Sequence, residues 1–361
     1  MRSAASPGAS AADRRLQRTL PLPRFKLFSL IGQRAGMWLC GLLVLAAVQA
    51  RDVWADDSSA EAKTWLDRIA AAGHTVNYEG TFVYRRDDQL VTMHLIHVAS
   101  PDGEQEQLVS LSGGQRELLR SRDGVVCIFP GKRHVTFNKR GLDKQFPGQL
   151  SEQVGDLEKN YRLTMGGHDR IAGRPARMVV VEPLDGYRYG YRIWIDEQTG
   201  LLLQSDLVNE RGNAIEQVMF TDLAVVDKPT PEMIKAVTLD EASRRGLQES
   251  QQHIAAVNDV PWRITKMPKG FSVAEQYEHI NGKRSPVDQL VLTDGMATVS
   301  VFVERAKDGK GAFKGMSHMG AVNAFGTLVG DHQLTVVGEV PAATVRLIGD
   351  SVDYVQADAQ Q

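Results

Sequence analysis

His94 and His97 are the closest pair of histidines in the chain, and two imidazoles on one face of an element would supply half of a metal site. The run Leu90 to Val98 has strand character, however, and residues three apart in a strand point to opposite faces, so a shared ion would need a bulge. Gly315-Met316-Ser317-His318-Met319-Gly320 has the outline of a nucleophile elbow, but Met319 stands where G-x-S-x-G requires glycine. Ser112-Gly113-Gly114 lacks the Lys-Ser/Thr of a phosphate loop. Both glycine-bearing segments are read as turns. Cys127, within Val125-Val126-Cys127-Ile128-Phe129, reads as a small core residue of a strand and not as a nucleophile. Scattered Asp and Glu residues cannot be given acid–base roles without geometry. No catalytic residue, metal ligand or cofactor site is therefore nominated, and the chain is read as a non-enzyme.

The elements around these residues are mostly strands. Ser58-x-x-Glu61 is a capping box, after which Ala62, Trp65, Leu66, Ile69 and Ala70 recur at helical spacing up to Gly73, predicting an amphipathic first helix. Strand-like runs follow at Tyr78 to Arg86, Leu90 to Val98, Gln107 to Leu111, Arg116 to Arg120, Val125 to Phe129 and His134 to Asn138, joined by Asp-Asp, Pro-Asp-Gly, Asp-Gly and Pro-Gly turn chemistry. A helical or irregular stretch around Leu150 to Lys159 interrupts them. Ala176 to Val181, Tyr189 to Asp196, Leu201 to Val208 and Ile215 to Val226 then resume the pattern. So many consecutive antiparallel strands must curl to bury one face, which predicts a half-open barrel with the helix in its concavity. Lys228-Pro229-Thr230-Pro231 breaks the pattern, and residues 229–258 are read as a linker. A second strand-rich block over 259–361 contains Phe271 to His279, Val287 to Leu292, Ala297 to Glu304 and Gln333 to Val337, with Pro341 opening a helix to about Ser351. The fold class expected is α+β: a half-open antiparallel β-barrel with helices over 56–228, then a smaller α+β domain.

The first 55 residues belong to targeting. Arg14, Arg15, Arg18, Arg24, Lys26 and Arg34 precede an apolar run from Gly36 to Val48, and Val53-Trp54-Ala55 gives small-residue spacing for cleavage near Ala55. The apolar run is shorter than a membrane span requires, and Cys40, preceded by Leu39, is a poor lipid-attachment site. Without residues 1–55 the chain has 34 basic and 42 acidic residues, a formal charge of −8, which disfavours nucleic-acid binding. Cys127 is then the lone cysteine, so stability must come from packing and not from an internal disulfide.

Particular segments resemble a known family. Tyr78-Glu79-Gly80-Thr81-Phe82-Val83-Tyr84, Asp169 to Pro175 and Tyr189 to Asp196 are similar to the N-terminal domain of RseB/MucB proteins. Trp262-Arg263-Ile264, Met267 to Phe271, Asp294 to Glu304 and Gly320 to Gly326 are similar to its C-terminal domain. The resemblance implies a lipoprotein-carrier-like N-terminal domain with an apolar groove, and a periplasmic location. It also implies a role as negative regulator of a sigma-E-type envelope stress response, in which the protein binds the periplasmic domain of an RseA/MucA-like anti-sigma factor and shields it from regulated proteolysis. Lipopolysaccharide or another acylated lipid is implied as the releasing ligand. A periplasmic lipid or lipoprotein carrier is the alternative, but such a carrier has no need of the block from Val260 to Gln361.

An acyl chain needs a dry concave surface, and Phe82, Tyr84, Trp194, Leu201 and Leu203 are strand residues able to line one, although each can equally fill a core. In the second block, Ala297, Val299, Val301 and Val303 form a small aliphatic face suited to a core. This leaves the face of Phe302 and the loop Gly320 to Gly326, with Asn323 and Phe325, as partner-binding candidates. Lys132-Arg133-His134, Lys139-Arg140 and Arg244-Arg245 are local basic spots, read first as solvated surface. Self-association as a homo-oligomer is left open by the sequence.

Overall fold

The computed structural model describes residues 58–100, 103–129, 133–138, 154–252, 254–257, 260–280, 286–306 and 313–355. The expected signal peptide, its cleavage site, Lys132 and the Lys139-Arg140 spot lie outside these residues. Among the described residues no helix is long and apolar enough to cross a membrane.

Helix α1 spans 58–75. Eleven strands then form one sheet: β1 (Asn77–Arg86), β2 (Gln89–Val98), β3 (Gln105–Ser110), β4 (Glu117–Ser121), β5 (Gly124–Phe129), β6 (Arg133–Asn138), β7 (Tyr161–Ile171), β8 (Arg174–Pro183), β9 (Gly190–Asp196), β10 (Leu202–Val208) and β11 (Ala214–Val226). Their order is β6-β5-β4-β3-β2-β1-β11-β10-β9-β8-β7, two meanders joined through the antiparallel β1–β11 pair. β6 and β7 are the two ends and do not pair, so the sheet is open. Bulges at Thr81/Phe82, Met165/His168, Leu202/Gln204 and Leu207/Val208 add the local bending that a sheet of this width needs.

The two faces of this sheet are covered differently. On one, Ala62, Leu66 and Ile69 of α1 pack with Leu163, Val179, Val181, Ile193 and Ile195, and Ala72 packs with Phe82, Leu95, Leu108 and Phe220. The helical spacing read from the sequence is therefore the buried stripe of α1, each fully buried Leu or Ile contributing about 1.5–3 kcal/mol. Ser58 does not complete the expected capping box: its hydroxyl accepts the N–H of Met165 on β7, while Glu61 pairs with Arg177 at 3.5 Å. On the other face, α2 (Pro231–Val237) sets Met233 and Val237 against Val98 and Ile96. α3 (Glu241–Gln252) sets Leu247 against Leu119 and Val126, with Leu239 just before it. The segment read as a linker is thus largely helical. Its apolar residues are sparse, yet they are enough to dock both helices because the sheet supplies the complementary surface.

The second sheet has seven strands in the order β12-β14-β15-β16-β19-β18-β17. They are β12 (Ile254–Ala256), β14 (Ser272–His279), β15 (Val287–Thr293), β16 (Thr298–Arg305), β17 (Gly315–Met319), β18 (Val322–Val329) and β19 (His332–Gly338). A separate pair joins β13 (Trp262–Ile264) to β20 (Val352–Tyr354). α4 (Ala342–Gly349) buries Val345 and Ile348 against Val299, Val301, Leu334 and Val336. Gly349 has to lack a side chain here, since a Cβ would sit 2.4 Å from the Phe325 ring.

Two expectations fail for identifiable reasons. Gly315 to Met319, read as a turn, is edge strand β17, exposed along its length and paired with β18. β7 escapes the sequence pattern because Gly166-Gly167 and His168-Asp169-Arg170 break the alternation; the glycines lie at the bulge and the charges on an edge. Ser112 to Gly114 does form a turn, between β3 and β4.

Candidate functional site

Phe82, Leu201 and Leu203 are buried in one apolar cluster with Leu95, Leu108, Val218 and Phe220, and Tyr84 and Trp194 pack on it partly buried. Phe82 meets Phe220 edge-to-face at 5.6 Å. The five groove candidates are thus brought together, but Phe82 is 2% and Leu203 0% exposed, so in this conformation they fill a core beneath α1. Trp194 lies opposite Met178 and Gln204 and alternates with Ile193 and Ile195, which belong with Ala62, Leu66 and Ile69 to the neighbouring cluster.

The α1 face also holds a polar group that sequence spacing could not assemble. His97 Nδ1 lies 2.9 Å from Glu106 Oε1, His97 Nε2 lies 2.9 Å from the Gly73 carbonyl near the end of α1, and Arg120 pairs with Glu106 at 3.3 Å. Both ring nitrogens of His97 thus face oxygen atoms, one from a side chain and one from the backbone. Burial alone would push the Glu106 carboxyl up, but the His97 hydrogen bond and the Arg120 charge outweigh it and hold the group below the usual carboxylate range. Tyr78 stacks on His97 at 4.8 Å. His94 lies near Thr81 instead, and no metal-ligating cluster occurs among the described residues. Cys127 is half-buried, paired across the ladder with Leu118 and Val135, and burial pushes its thiol up, away from nucleophilic character.

A second assembly joins the two sheets. Arg188, whose side chain is 0% exposed, donates from Nη2 to the Lys269 carbonyl at 2.6 Å and from Nε to Asp185 at 3.1 Å. Its guanidinium lies over the rings of Tyr161 and Phe271 at 5.4 and 5.2 Å. Nη1 is 2.9 Å from Asp294 Oδ2, yet off the direction of a hydrogen bond, so that contact is chiefly ionic. Tyr161 donates to the same Asp294 oxygen at 2.9 Å, while Asp294 Oδ1 accepts the N–H groups of Met296 and Ala297 and thereby builds the β15–β16 turn.

Beside it, Tyr84 donates to Glu216 Oε2 at 2.6 Å, and the Ala321 N–H donates to Glu216 Oε1 at 3.2 Å. Asn323 is a clamp in this junction: its amide donates to the Val340 carbonyl at 2.8 Å and to the Tyr189 hydroxyl at 3.2 Å. The segment Gly320 to Gly326, read as a loop, is a turn plus the start of β18, with Ala321 buried against the first sheet and Phe325 packed into the second core. Phe302 stands opposite Gln289 and Thr335, on the face away from Val299, Val301 and Val303, with its ring 6.3 Å from that of His279. Arg244 and Arg245 are exposed on α3.

Residues 61–240 match the family model of the MucB/RseB N-terminal domain and residues 256–353 that of the MucB/RseB C-terminal domain. The sigma factor AlgU regulatory protein MucB of Pseudomonas aeruginosa is 31% identical over 308 residues, covering 81% of this chain and 91% of that protein. The sigma-E factor regulatory protein RseB of Haemophilus influenzae is 27% identical over 299 residues, again 81% and 91%. A crystal structure of MucB in complex with MucA(peri) superposes with a TM-score of 0.61 at 29% identity, covering 82% of this chain and 100% of that one.

Proposed function

Since this chain belongs to the MucB/RseB family, we propose that it is a periplasmic negative regulator of an envelope stress response, binding the periplasmic segment of an anti-sigma factor and shielding it from proteolysis. The observation that carries this reading is the similarity along both sheets to MucB, which has been crystallised in complex with MucA(peri). We assign the releasing ligand to an acylated lipid such as lipopolysaccharide. The supporting feature is the cluster around Phe82, Leu201 and Leu203, an apolar volume covered by one helix whose end is held by His97. A lipid would reach it by displacing α1. Partner contact is assigned to the second sheet, on the Phe302 side, because Asn323 and Phe325 are engaged within the protein. We put the domain boundary between α3 and β12, because β12 is already a strand of the second sheet.

The test is a titration of the purified protein with the partner's periplasmic segment, with and without lipopolysaccharide. Partner affinity should fall when lipid is present and in Phe302→Ser, and coupling must be reciprocal, so partner should weaken lipid binding by the same factor. Lipid-insensitive partner binding would remove the sensing role; absence of partner binding would remove the regulator.

A further inference from the structure

Among the described residues two methionines stand open to solvent, Met319 at 61% and Met316 at 42% exposure, and both belong to β17, the strand that ends the second sheet. Met233 is enclosed and the other described methionines are half-buried. Three residues apart in a strand, Met316 and Met319 point to opposite faces, and the register sets them beside Phe325 and Val322 of β18. Both are open all the same, because β17 has a neighbouring strand on one side only. Gly315-Met316-Ser317-His318-Met319 has no Lys, Arg, Asp, Glu, Pro or bulge, the usual guards of such an edge, and its most oxidisable groups are the two thioethers. We propose that Met316 and Met319 form a reversible oxidation site, converted to methionine sulfoxide by two-electron oxidants of the peroxide class ahead of the other described methionines, while the fold stays intact.

A lone pair on the thioether sulfur attacks one oxygen of hydrogen peroxide, and the S–O bond forms as the O–O bond breaks. The departing hydroxide takes the proton from the transferred oxygen and leaves as water; sulfur loses two electrons and the peroxide gains them. Reversal needs a dithiol reductase, which takes the oxygen off as water and is itself oxidised to a disulfide. Solvent access decides the order of attack. At Met316 and Met319 the thioether is already in water, so the added oxygen displaces no packing. Met233, by contrast, docks α2 against Val98, and an oxidant reaches its sulfur only when that contact opens. Cys127 is a poor competitor: it is half-buried, and burial pushes its thiol up, which leaves little of the thiolate that peroxide attacks. Oxidation thus replaces two apolar tips on an uncharged edge by two polar ones, and reduction restores them.

Treating the purified protein with hydrogen peroxide over a time course, and following each methionine-bearing peptide by mass spectrometry, tests the site. Met316 and Met319 should oxidise at least about tenfold faster than Met233, and before Met93, Met178 and Met219, because covered sulfurs depend on local opening. The urea midpoint should be unchanged once the pair is oxidised, and the two stereospecific methionine sulfoxide reductases with dithiothreitol should return the original mass. In Met316→Leu/Met319→Leu, which keeps the apolar bulk at exposed positions, the fast phase should vanish. A pair that reacts no faster than Met233, a fast phase that persists in the variant, a lowered urea midpoint, or sulfoxides that the reductases leave in place would each overturn the proposal. If the variant fails to fold, the wild-type peptide map decides alone.

Discussion

Replacing Arg188 by Met removes the one side chain that holds Asp185, Asp294 and the Lys269 carbonyl together across the two sheets. The methionine fills much of the guanidinium's volume, so the loss is electrostatic more than steric. Arg188 and Asp294 are both 0% exposed, and stripping the cation leaves the Asp294 carboxylate buried with only Tyr161 and two turn N–H groups as partners. Breaking a buried pair in this way costs about 3–5 kcal/mol. The lower end is expected, because the Arg188–Asp294 contact is off the hydrogen-bond direction and Asp294 keeps three donors. The assay is urea unfolding of wild type, Arg188→Met, Asp294→Asn and the double variant. The Arg188→Met/Asp294→Asn protein should be more stable than the sum of the single losses predicts, by about 1–3 kcal/mol of coupling. A loss under about 1 kcal/mol for Arg188→Met would refute the argument, since that is the worth of an exposed pair and not of this one.

Phe82→Ala should cost about 3–5 kcal/mol in chemical denaturation, because its ring is enclosed by Phe220, Leu95 and α1; a loss near zero would mean that the volume is open in solution. Gly270→Ala should destabilise by about 1–3 kcal/mol, measured by thermal melting, because φ is +85° and the new Cβ would fall 2.1 Å from the buried Asn160 amide. Burial of Asp196 raises its carboxyl, but the Arg174 bonds at 2.8 and 3.2 Å and the Thr199 bonds hold it below the ordinary 3.8. The folded-state value being depressed, this stabilisation is present above about pH 4 and lost as pH falls further. Arg174→Gln should therefore flatten the acid limb of urea midpoints collected from pH 6 to 3.

Much of the strand content is legible in the sequence because alternation and turn residues are local signals. Leu90 to Val98, Val125 to Phe129 and Val287 to Leu292 each fall within one observed strand, and the Ala62-Leu66-Ile69 stripe is the face α1 buries. β7 and β17 are illegible because edge strands need not alternate: one side of each faces solvent, so charges and glycines are tolerated there. The helices α2 and α3 leave little trace because each buries only a few apolar residues, and their stability comes from the sheet they dock on. Phe82, Tyr84, Trp194 and Leu203 lie on strands and Leu201 directly precedes one, yet nothing local says whether α1 lies over them or which cluster each one joins.

The succession of strands, the apolar stripe of the first helix and the resemblance to a family all follow from residue types at short spacing, and each can be read without coordinates. Which polar residues meet is a property of the folded chain alone. His97 reaches Glu106 and Gly73, Arg188 reaches Lys269 and Asp294, and Glu216 reaches Tyr84 and Ala321. The partners from the two sheets are remote in sequence, as Arg188 and Asp294 are, so no spacing rule connects them. A charged side chain has the same local signature whether it is solvated on a surface or buried with a partner from another sheet. The difference between the two is a desolvation energy, and that is fixed by what the fold places around the group.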